Sequence, residues 1–136
     1  GYEVWVDPSA ILYHLGGGTL SMKSAKKLYY NHRNSLVLLL SNYSLFRSIF
    51  FFLLRLPLEI ISSLKELISL KPIHFIYHYK ALLWILFNLH IIIKRRDAIA
   101  KIRNIKDSKL LGENIIFKKS IVLQYYLLNK KRYSDL

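Results

Sequence analysis

The chain has 136 residues and a net charge of +13, with 53% hydrophobic residues and no cysteine. This length allows one domain with one core, and the apolar content excludes a disordered protein. The lack of cysteine excludes disulfides, iron–sulfur clusters and cysteine-ligated zinc. The sequence begins with Gly, and no basic segment followed by an apolar one comes after it. We therefore expect part of a longer protein, without a signal peptide at this point.

Most of the positive charge lies in the second half of the chain. Residues 1–60 contain six Lys and Arg against three Asp and Glu, whereas residues 61–136 contain fifteen against five. Such an excess of positive charge indicates an anionic partner, either a phospholipid surface or a nucleic acid. Apolar runs such as Ile49–Leu54 and Ile91–Ile93 accompany the charge, which is typical of membrane-surface helices and unusual in nucleic-acid-binding modules. We predict an anionic membrane surface as partner and no nucleic acid.

The N-terminal segment predicts short strands and a glycine-rich loop. Apolar residues alternate with other residues over residues 2–7, which is strand periodicity, and Pro8 ends the pattern. Residues 10–14 predict a second short extended element. Gly16–Gly18 then form a stretch without Cβ atoms, which suits a mobile loop or the close approach of a ligand.

The rest of the chain predicts helices. The first covers about residues 24–45, and the second covers 46–56. Pro57 is expected to begin a third helix, because proline is favoured in the first turn. A fourth helix is expected from Pro72 to Ile93, and a last one covers residues 115–131.

The third predicted helix has an apolar and a polar face, whereas the fourth is apolar nearly all round with a narrow polar stripe of His74, His78 and Asn88. On the third, an apolar face contains Ile60, Ile61, Leu64, Leu67 and Ile68, and the opposite face contains Glu59, Ser62, Ser63, Glu66 and Ser69. On the fourth, His74 and His78 have the i, i+4 spacing used by zinc-binding helices. No third ligand is evident for a metal. We therefore interpret the two histidines as a polar stripe at a membrane interface.

Two windows approach the hydropathy of a membrane span. Residues 45–63 and 75–93 both fall just below the usual spanning range and both contain ionisable side chains. Charges within a span cost several kcal/mol unless they are paired. We therefore predict peripheral helices at the membrane surface, with a single span over residues 73–93 as the alternative. The basic cluster Lys94, Arg95 and Arg96 is predicted to face anionic headgroups.

The N-terminal third resembles a known enzyme family. It contains a Gly-Tyr pair, an extended segment, Pro-Ser-Ala, the sequence His14-Leu15-Gly16-Gly17, a short loop, and a helix with Tyr29-Tyr30 and Arg33-Asn34. In this order and spacing the segment resembles the C-terminal edge of the catalytic domain of family-2 glycosyltransferases, especially the rhamnosyltransferase-like branch. Detailed similarity covers residues 1–45. The apolar, basic helices that follow match these enzymes in character.

The resemblance implies a GT-A fold that binds a nucleotide-sugar with a divalent metal, Mg or Mn, in the full-length parent. The metal would neutralise charge on the leaving diphosphate. His14 matches a histidine that joins the metal site, and the loop Gly16, Gly17, Gly18 and Thr19 matches one that closes over the diphosphate. Relatives also need an upstream Asp-x-Asp and a carboxylate base, and this sequence contains neither, so we expect the chain alone to be inactive.

Together these observations predict a mainly α-helical fragment with short N-terminal strands. Residues 1–24 would form the edge of an α/β catalytic domain, and residues 25–136 a helical, membrane-associated C-terminal region. The predicted function is that of the C-terminal part of a glycosyltransferase which moves a sugar to a polyprenyl-linked cell-surface glycan. It would lie on the cytoplasmic face of the membrane. The alternative is a non-catalytic, basic, helical membrane-surface protein.

Overall fold

A computed structural model describes residues 3–13, 20–21, 23–112, 121–126, 128–130 and 132. The chain divides into two compact units, one that ends at Ile102 and one that begins at Arg103. Within the described residues, the first contains four helices, α1 (Ala25–Asn42), α2 (Leu45–Ile68), α3 (Pro72–Phe87) and α4 (Leu89–Ile102). The second contains α5 (Asp107–Gly112) and α6 (Ile121–Tyr126). The prediction of a mainly helical chain is confirmed.

The predicted N-terminal strands are not shown. Residues 3–13 contain no strand, and Val4, Trp5 and Val6 are 83–91% exposed. A strand needs a hydrogen-bonded neighbour and an apolar surface to cover its face, and this segment has neither within the described residues. After Asp7 the chain makes a turn, in which the Ser9 backbone N–H donates to Asp7 Oδ1 at 2.9 Å.

Helix α1 begins and ends close to where the sequence predicts. Ser24 adopts an extended N-cap conformation, and its hydroxyl accepts the backbone N–H of Lys27 at 3.2 Å. Such a cap satisfies one of the unpaired donors of the first turn. At the other end, Asn42 donates from its side chain to the Leu38 carbonyl at 2.8 Å, and the helix stops before Ser44.

The prediction that Pro57 begins a new helix is wrong. α2 continues through Pro57 for 24 residues. Proline inside a helix removes one backbone hydrogen bond and costs about 3 kcal/mol, so other interactions must hold the segment straight enough to continue. Contacts of α2 with its neighbours on both sides of the proline provide them, through Ser48 before it and Glu59 and Ser63 after it.

Helix α3 begins at Pro72 as predicted but ends at Phe87, before Ile93. Asn88 at its C-terminus donates from its side chain to the Trp84 carbonyl at 2.8 Å. This local bond competes with continuation of the helix, and α4 leaves at an angle of 67° to α3. Of the predicted last helix, residues 121–126 are helical and 128–130 are not. The other predicted positions from 115 to 131 lie outside the described residues.

The first three helices pack side by side, with α1 and α3 running in the same direction. Tyr29 contacts Tyr77 edge-on at 6.1 Å, and further along both helices His32 contacts His78, with ring centroids 4.0 Å apart. α2 runs against them. Its early residue Ser48 reaches the end of α1, and Glu59 lies beside His32. One apolar cluster closes the bundle at the end where α4 joins it, and it contains Leu36, Val37, Ile85 and Ile92.

Candidate functional site

The residues that the sequence assigned to the diphosphate and its metal cannot be placed. His14 and the loop of Gly16, Gly17, Gly18 and Thr19 lie outside the described residues. The candidate functional residues that the structure does describe lie on helices α1 to α4 and in the segment before α1.

The predicted basic cluster at the start of α4 divides into two parts. Lys94 and Arg95 are exposed, as a headgroup-binding role requires. Arg96 points inward, where its guanidinium donates to the Leu40 carbonyl and, at 3.0 Å, to the Ser48 hydroxyl. A guanidinium at the last carbonyls of a helix satisfies acceptors that have no partner within the helix. Arg96 thus joins α4 to α1 and α2.

The Tyr-Tyr and Arg-Asn pairs on α1 form a packed group. The Arg33 guanidinium lies 4.9 Å from the ring centre of Tyr30, 5.3 Å from that of Tyr29 and 5.0 Å from that of Trp84. Its nitrogens also donate to Asn34 Oδ1. Cation–π contacts of this kind stabilise by about 0.5–2 kcal/mol each, depending on exposure. These contacts account for the motif as helix packing.

A buried polar group lies where α1, α2 and α3 meet. We call it the His–Glu–His cluster; it comprises His32, Glu59 and His78. Glu59 Oε2 lies 2.5 Å from His32 Nδ1 and 3.4 Å from His78 Nδ1. His78 is 1% exposed and Glu59 4%, whereas His32 retains 18%. The two imidazole rings therefore face one carboxylate oxygen in a nearly dry interior.

The second oxygen of the same carboxylate has its own partner. Arg55, one turn earlier on α2, donates from Nε to Glu59 Oε1 at 2.8 Å. Burial alone would raise the pKa of the Glu59 carboxyl, but the two imidazoles and the Arg55 guanidinium outweigh it and lower that pKa. The carboxylate is therefore held ionised, with Oε1 fixed by Arg55 and Oε2 turned towards the histidines.

Several nitrogens of the His–Glu–His cluster lack a hydrogen-bond partner of normal geometry. They are Nδ1 of His32 and both ring nitrogens of His78. One ligand atom from each of the three side chains can be chosen so that all lie within 4.8 Å of one another. The group could hold a metal ion.

The sequence interpretation missed this cluster and placed its members elsewhere. His78 was expected in an interfacial stripe with His74, yet it is buried and faces the neighbouring helices. His74 lies apart, with Nε2 3.0 Å from the Lys23 carbonyl. One signal was available, because Glu59 and His78 stand within strongly apolar helices, where an ionisable side chain that becomes buried needs a partner.

A second feature is an open pocket of about 550 Å³ beside the start of α1. We call it the lysine pocket. Three lysines and one glutamate contribute its charge, together with polar and apolar groups; the lining residues are Lys23, Ser24, Lys27, Leu28, Asn31, Glu66, Lys71 and His74. Lys71 lies 3.9 Å from Glu66. The excess of positive charge suits an anionic group.

The outside of α2 and α3 is strongly apolar. We call this surface the outer apolar face, formed by side chains that are 41–82% exposed: Leu45, Phe46, Ile49, Phe50, Leu53, Leu54, Leu58, Ile60, Ile61, Leu64, Leu67, Ile68, Ile73, Ile76, Leu83, Leu86 and Phe87. The buried residues of α2 are instead Ser48, Glu59 and Ser63. In the part of the chain that the structure describes, no helix alone has the length and hydropathy to cross a bilayer, but the bent pair α3 and α4 passes by length and composition.

Comparison of the chain with protein-family models, with curated proteins and with solved structures gave no match. The assignment of a function therefore rests on the residues of this chain and on the geometry described above.

Proposed function

We propose that the chain is the membrane-associated C-terminal part of a glycosyltransferase that transfers a sugar from a nucleotide-sugar to a lipid-linked glycan acceptor. The helical unit attaches the enzyme to the cytoplasmic surface of an anionic membrane, where such an acceptor is reached. The observation that carries the attachment is the inverted polarity of α2, whose buried residues Ser48, Glu59 and Ser63 are all polar and whose exposed residues are apolar apart from Lys65.

The inversion has a direct physical consequence. An amphipathic helix in a water-soluble domain turns its apolar stripe inward, because that burial drives folding. α2 does the opposite, with Glu59 inside and Phe50, Leu53 and Leu54 about half exposed. Apolar patches beyond a few hundred Å² on a soluble protein mark an interaction site. The chain also has a net charge of +13. An anionic lipid surface can bury the outer apolar face and attract the excess of Lys and Arg at the same time.

The lysine pocket supports the same partner. Its lysines come from the segment before α1, from α1 itself and from the start of α3. Lysine ammonium groups that are clustered together bind phosphate, each acting as a positive point charge. A lipid phosphate or diphosphate is therefore the ligand we propose for this pocket. Glycosyl transfer itself is supported by the resemblance of residues 1–45 to family-2 glycosyltransferases.

Vesicle binding tests the attachment. Leu53→Ser with Leu54→Ser removes two side chains from the outer apolar face. Ile11→Ser with Leu12→Ser is the control, since it removes two apolar side chains that are even more exposed but lie in the N-terminal segment. Burial of one leucine is worth about 1.5–3 kcal/mol. We expect the first pair to weaken binding to anionic vesicles by more than tenfold and the control pair to leave it nearly unchanged. Equal losses in both pairs would contradict attachment through this face.

The coding region upstream of Gly1 tests the transferase assignment. We expect an open reading frame that contains an Asp-x-Asp and a carboxylate pair, and we expect the present chain alone to turn over no nucleotide-sugar. A start codon immediately before Gly1 would contradict the assignment and favour the non-catalytic membrane-surface protein.

A further inference from the structure

The His–Glu–His cluster has unmet bonding capacity. Leaving a polar group buried without a hydrogen bond costs about 1–3 kcal/mol. His32 Nδ1 and His78 Nδ1 pair with Glu59 Oε2 outside normal hydrogen-bond geometry, and among the described residues His78 Nε2 has no hydrogen-bond partner. Each neutral imidazole offers one lone pair in its ring plane. The cluster brings two such rings to a single carboxylate oxygen.

The donor set selects a class of ion. Two imidazole nitrogens with one carboxylate oxygen form the protein ligand set of several zinc sites, which keep a fourth position for water. Magnesium and calcium take oxygen ligands instead. The chemistry therefore favours Zn²⁺ or a similar transition-metal ion, rather than the Mg or Mn expected for the diphosphate site of the parent enzyme.

The two distances from Glu59 Oε2 to the imidazoles are compatible with one ion after a small movement of His32. Zn–N and Zn–O bonds of about 2.0–2.1 Å place tetrahedral ligand atoms about 3.3 Å apart. Glu59 Oε2 and His78 Nδ1 are already 3.4 Å apart. His32 Nδ1 lies at 2.5 Å from the same oxygen and would have to withdraw by about 0.8 Å to reach that spacing. His32 is the most exposed of the three, so its ring has room to move towards solvent.

Arg55 completes the arrangement from outside the ligand set. Ligating carboxylates in metal sites are themselves hydrogen-bonded, which fixes the oxygen that faces the metal. Arg55 holds Oε1 of Glu59 and leaves Oε2 towards the rings. Its positive charge also offsets the carboxylate, so affinity is expected to be lower than in thiolate sites.

We propose that His32, Glu59 and His78 bind one divalent transition-metal ion of the zinc class, which joins α1, α2 and α3. His32 Nδ1, His78 Nδ1 and Glu59 Oε2 are the ligands, and the fourth position opens on the side of His32. This site is distinct from the diphosphate-bound metal implied by the glycosyltransferase resemblance, and its binding needs neither membrane nor nucleotide-sugar.

Co²⁺ binding by the full chain in detergent micelles, after removal of metals with a chelator, tests the proposal. We expect a visible ligand-field band of tetrahedral Co²⁺ that saturates at one ion per chain. Zn²⁺ should displace it, and Zn²⁺ should also raise the melting temperature, because a ligand that binds only the folded state stabilises it. Mg²⁺ should do neither. The absence of a band, or a band insensitive to Zn²⁺, would overturn the proposal.

The variant His32→Asn separates this site from surface histidines. Loss of a direct ligand should weaken Co²⁺ binding by more than the 10–100-fold typical of an outer-shell change. His90→Asn on α4 is the matched control, because His90 is exposed and lies outside the cluster. If both variants bind Co²⁺ as the parent chain does, the ion is elsewhere and the proposal is wrong. If His32→Asn fails to fold, Co²⁺ binding is measured in Glu59→Gln instead, which keeps the size of the side chain and removes the carboxylate ligand.

Discussion

The interior of the bundle has two halves of opposite chemistry. Where α4 joins, Leu36, Val37, Ile85 and Ile92 form an apolar cluster. Nearer the N-terminus of α1, the interior contains the His–Glu–His cluster instead of apolar side chains. Apolar packing is non-directional and tolerates small shifts between helices, whereas the carboxylate and its partners fix one register between three helices. We infer that, beside a small apolar core, the polar group sets how the three helices align, and that removing one of its partners is costly.

The largest effect is expected from breaking the polar half. Glu59→Ala leaves Arg55 and two imidazoles beside an empty buried space. Removal of one partner from a buried ionic group costs about 3–5 kcal/mol of unfolding free energy. Denaturant unfolding followed by circular dichroism measures the loss. Glu66→Ala on the same helix is the control, because its ion pair with Lys71 is long at 3.9 Å and should contribute less than about 1 kcal/mol. Equal losses would remove the distinction between the two acids.

Truncation in the apolar half should cost slightly less. Leu36 is fully buried, with 0% exposure, and Leu→Ala at such a site costs about 3 kcal/mol through lost transfer energy and the cavity left behind. Leu38→Ala, at a position 54% exposed, should change stability by less than about 0.5 kcal/mol. The same unfolding measurement applies. A loss at Leu36 much larger than at Glu59 would mean that the apolar half dominates the bundle.

The third test concerns membrane binding by the exposed part of the basic cluster, since Lys94 and Arg95 are exposed and Arg96 points inward. Lys94→Gln with Arg95→Gln should weaken binding to anionic vesicles by about 2 kcal/mol, at roughly 1 kcal/mol per base near the surface. Binding to neutral vesicles should change little, and high salt should reduce the difference, since the Debye length falls to about 3 Å at 1 M. Equal weakening on both vesicle types would show that these residues act through folding.

Local signals in the sequence predicted the starts of helices well. The helical pattern from about residue 24 predicted the start of α1, and Pro72 predicted the start of α3 because proline is favoured in the first turn. Pro57 misled the prediction because contacts with neighbouring helices override a local preference. The same limit explains the missed site, since His32, Glu59 and His78 are far apart in the sequence. Only the pairing of α1 with α3, and of α2 against both, brings them together.

The smallest effect is expected at Ser48, where α4 joins α1 and α2. Ser48 is 1% exposed, accepts from Arg96 of α4 at 3.0 Å and contacts the Leu39 and Tyr43 carbonyls at 3.2 Å. Ser48→Ala removes this hydroxyl without leaving a large cavity. A hydrogen bond to a charged group contributes about 1.5–3 kcal/mol and a neutral one less. Because Arg96 keeps its bond to the Leu40 carbonyl, we expect a net loss of about 1 kcal/mol.

Comparison with Ser69→Ala completes that test. Ser69 ends α2, is exposed and uses its backbone N–H for the bonds that the structure shows there, so its change should stay within about 0.5 kcal/mol. Arg96→Gln should lower the unfolding free energy more than Ser48→Ala, because it also leaves the Leu40 carbonyl without its donor. If Arg96→Gln instead leaves stability unchanged and weakens only vesicle binding, Arg96 belongs with Lys94 and Arg95 on the outside, and the junction between α4 and the bundle depends on the apolar cluster alone.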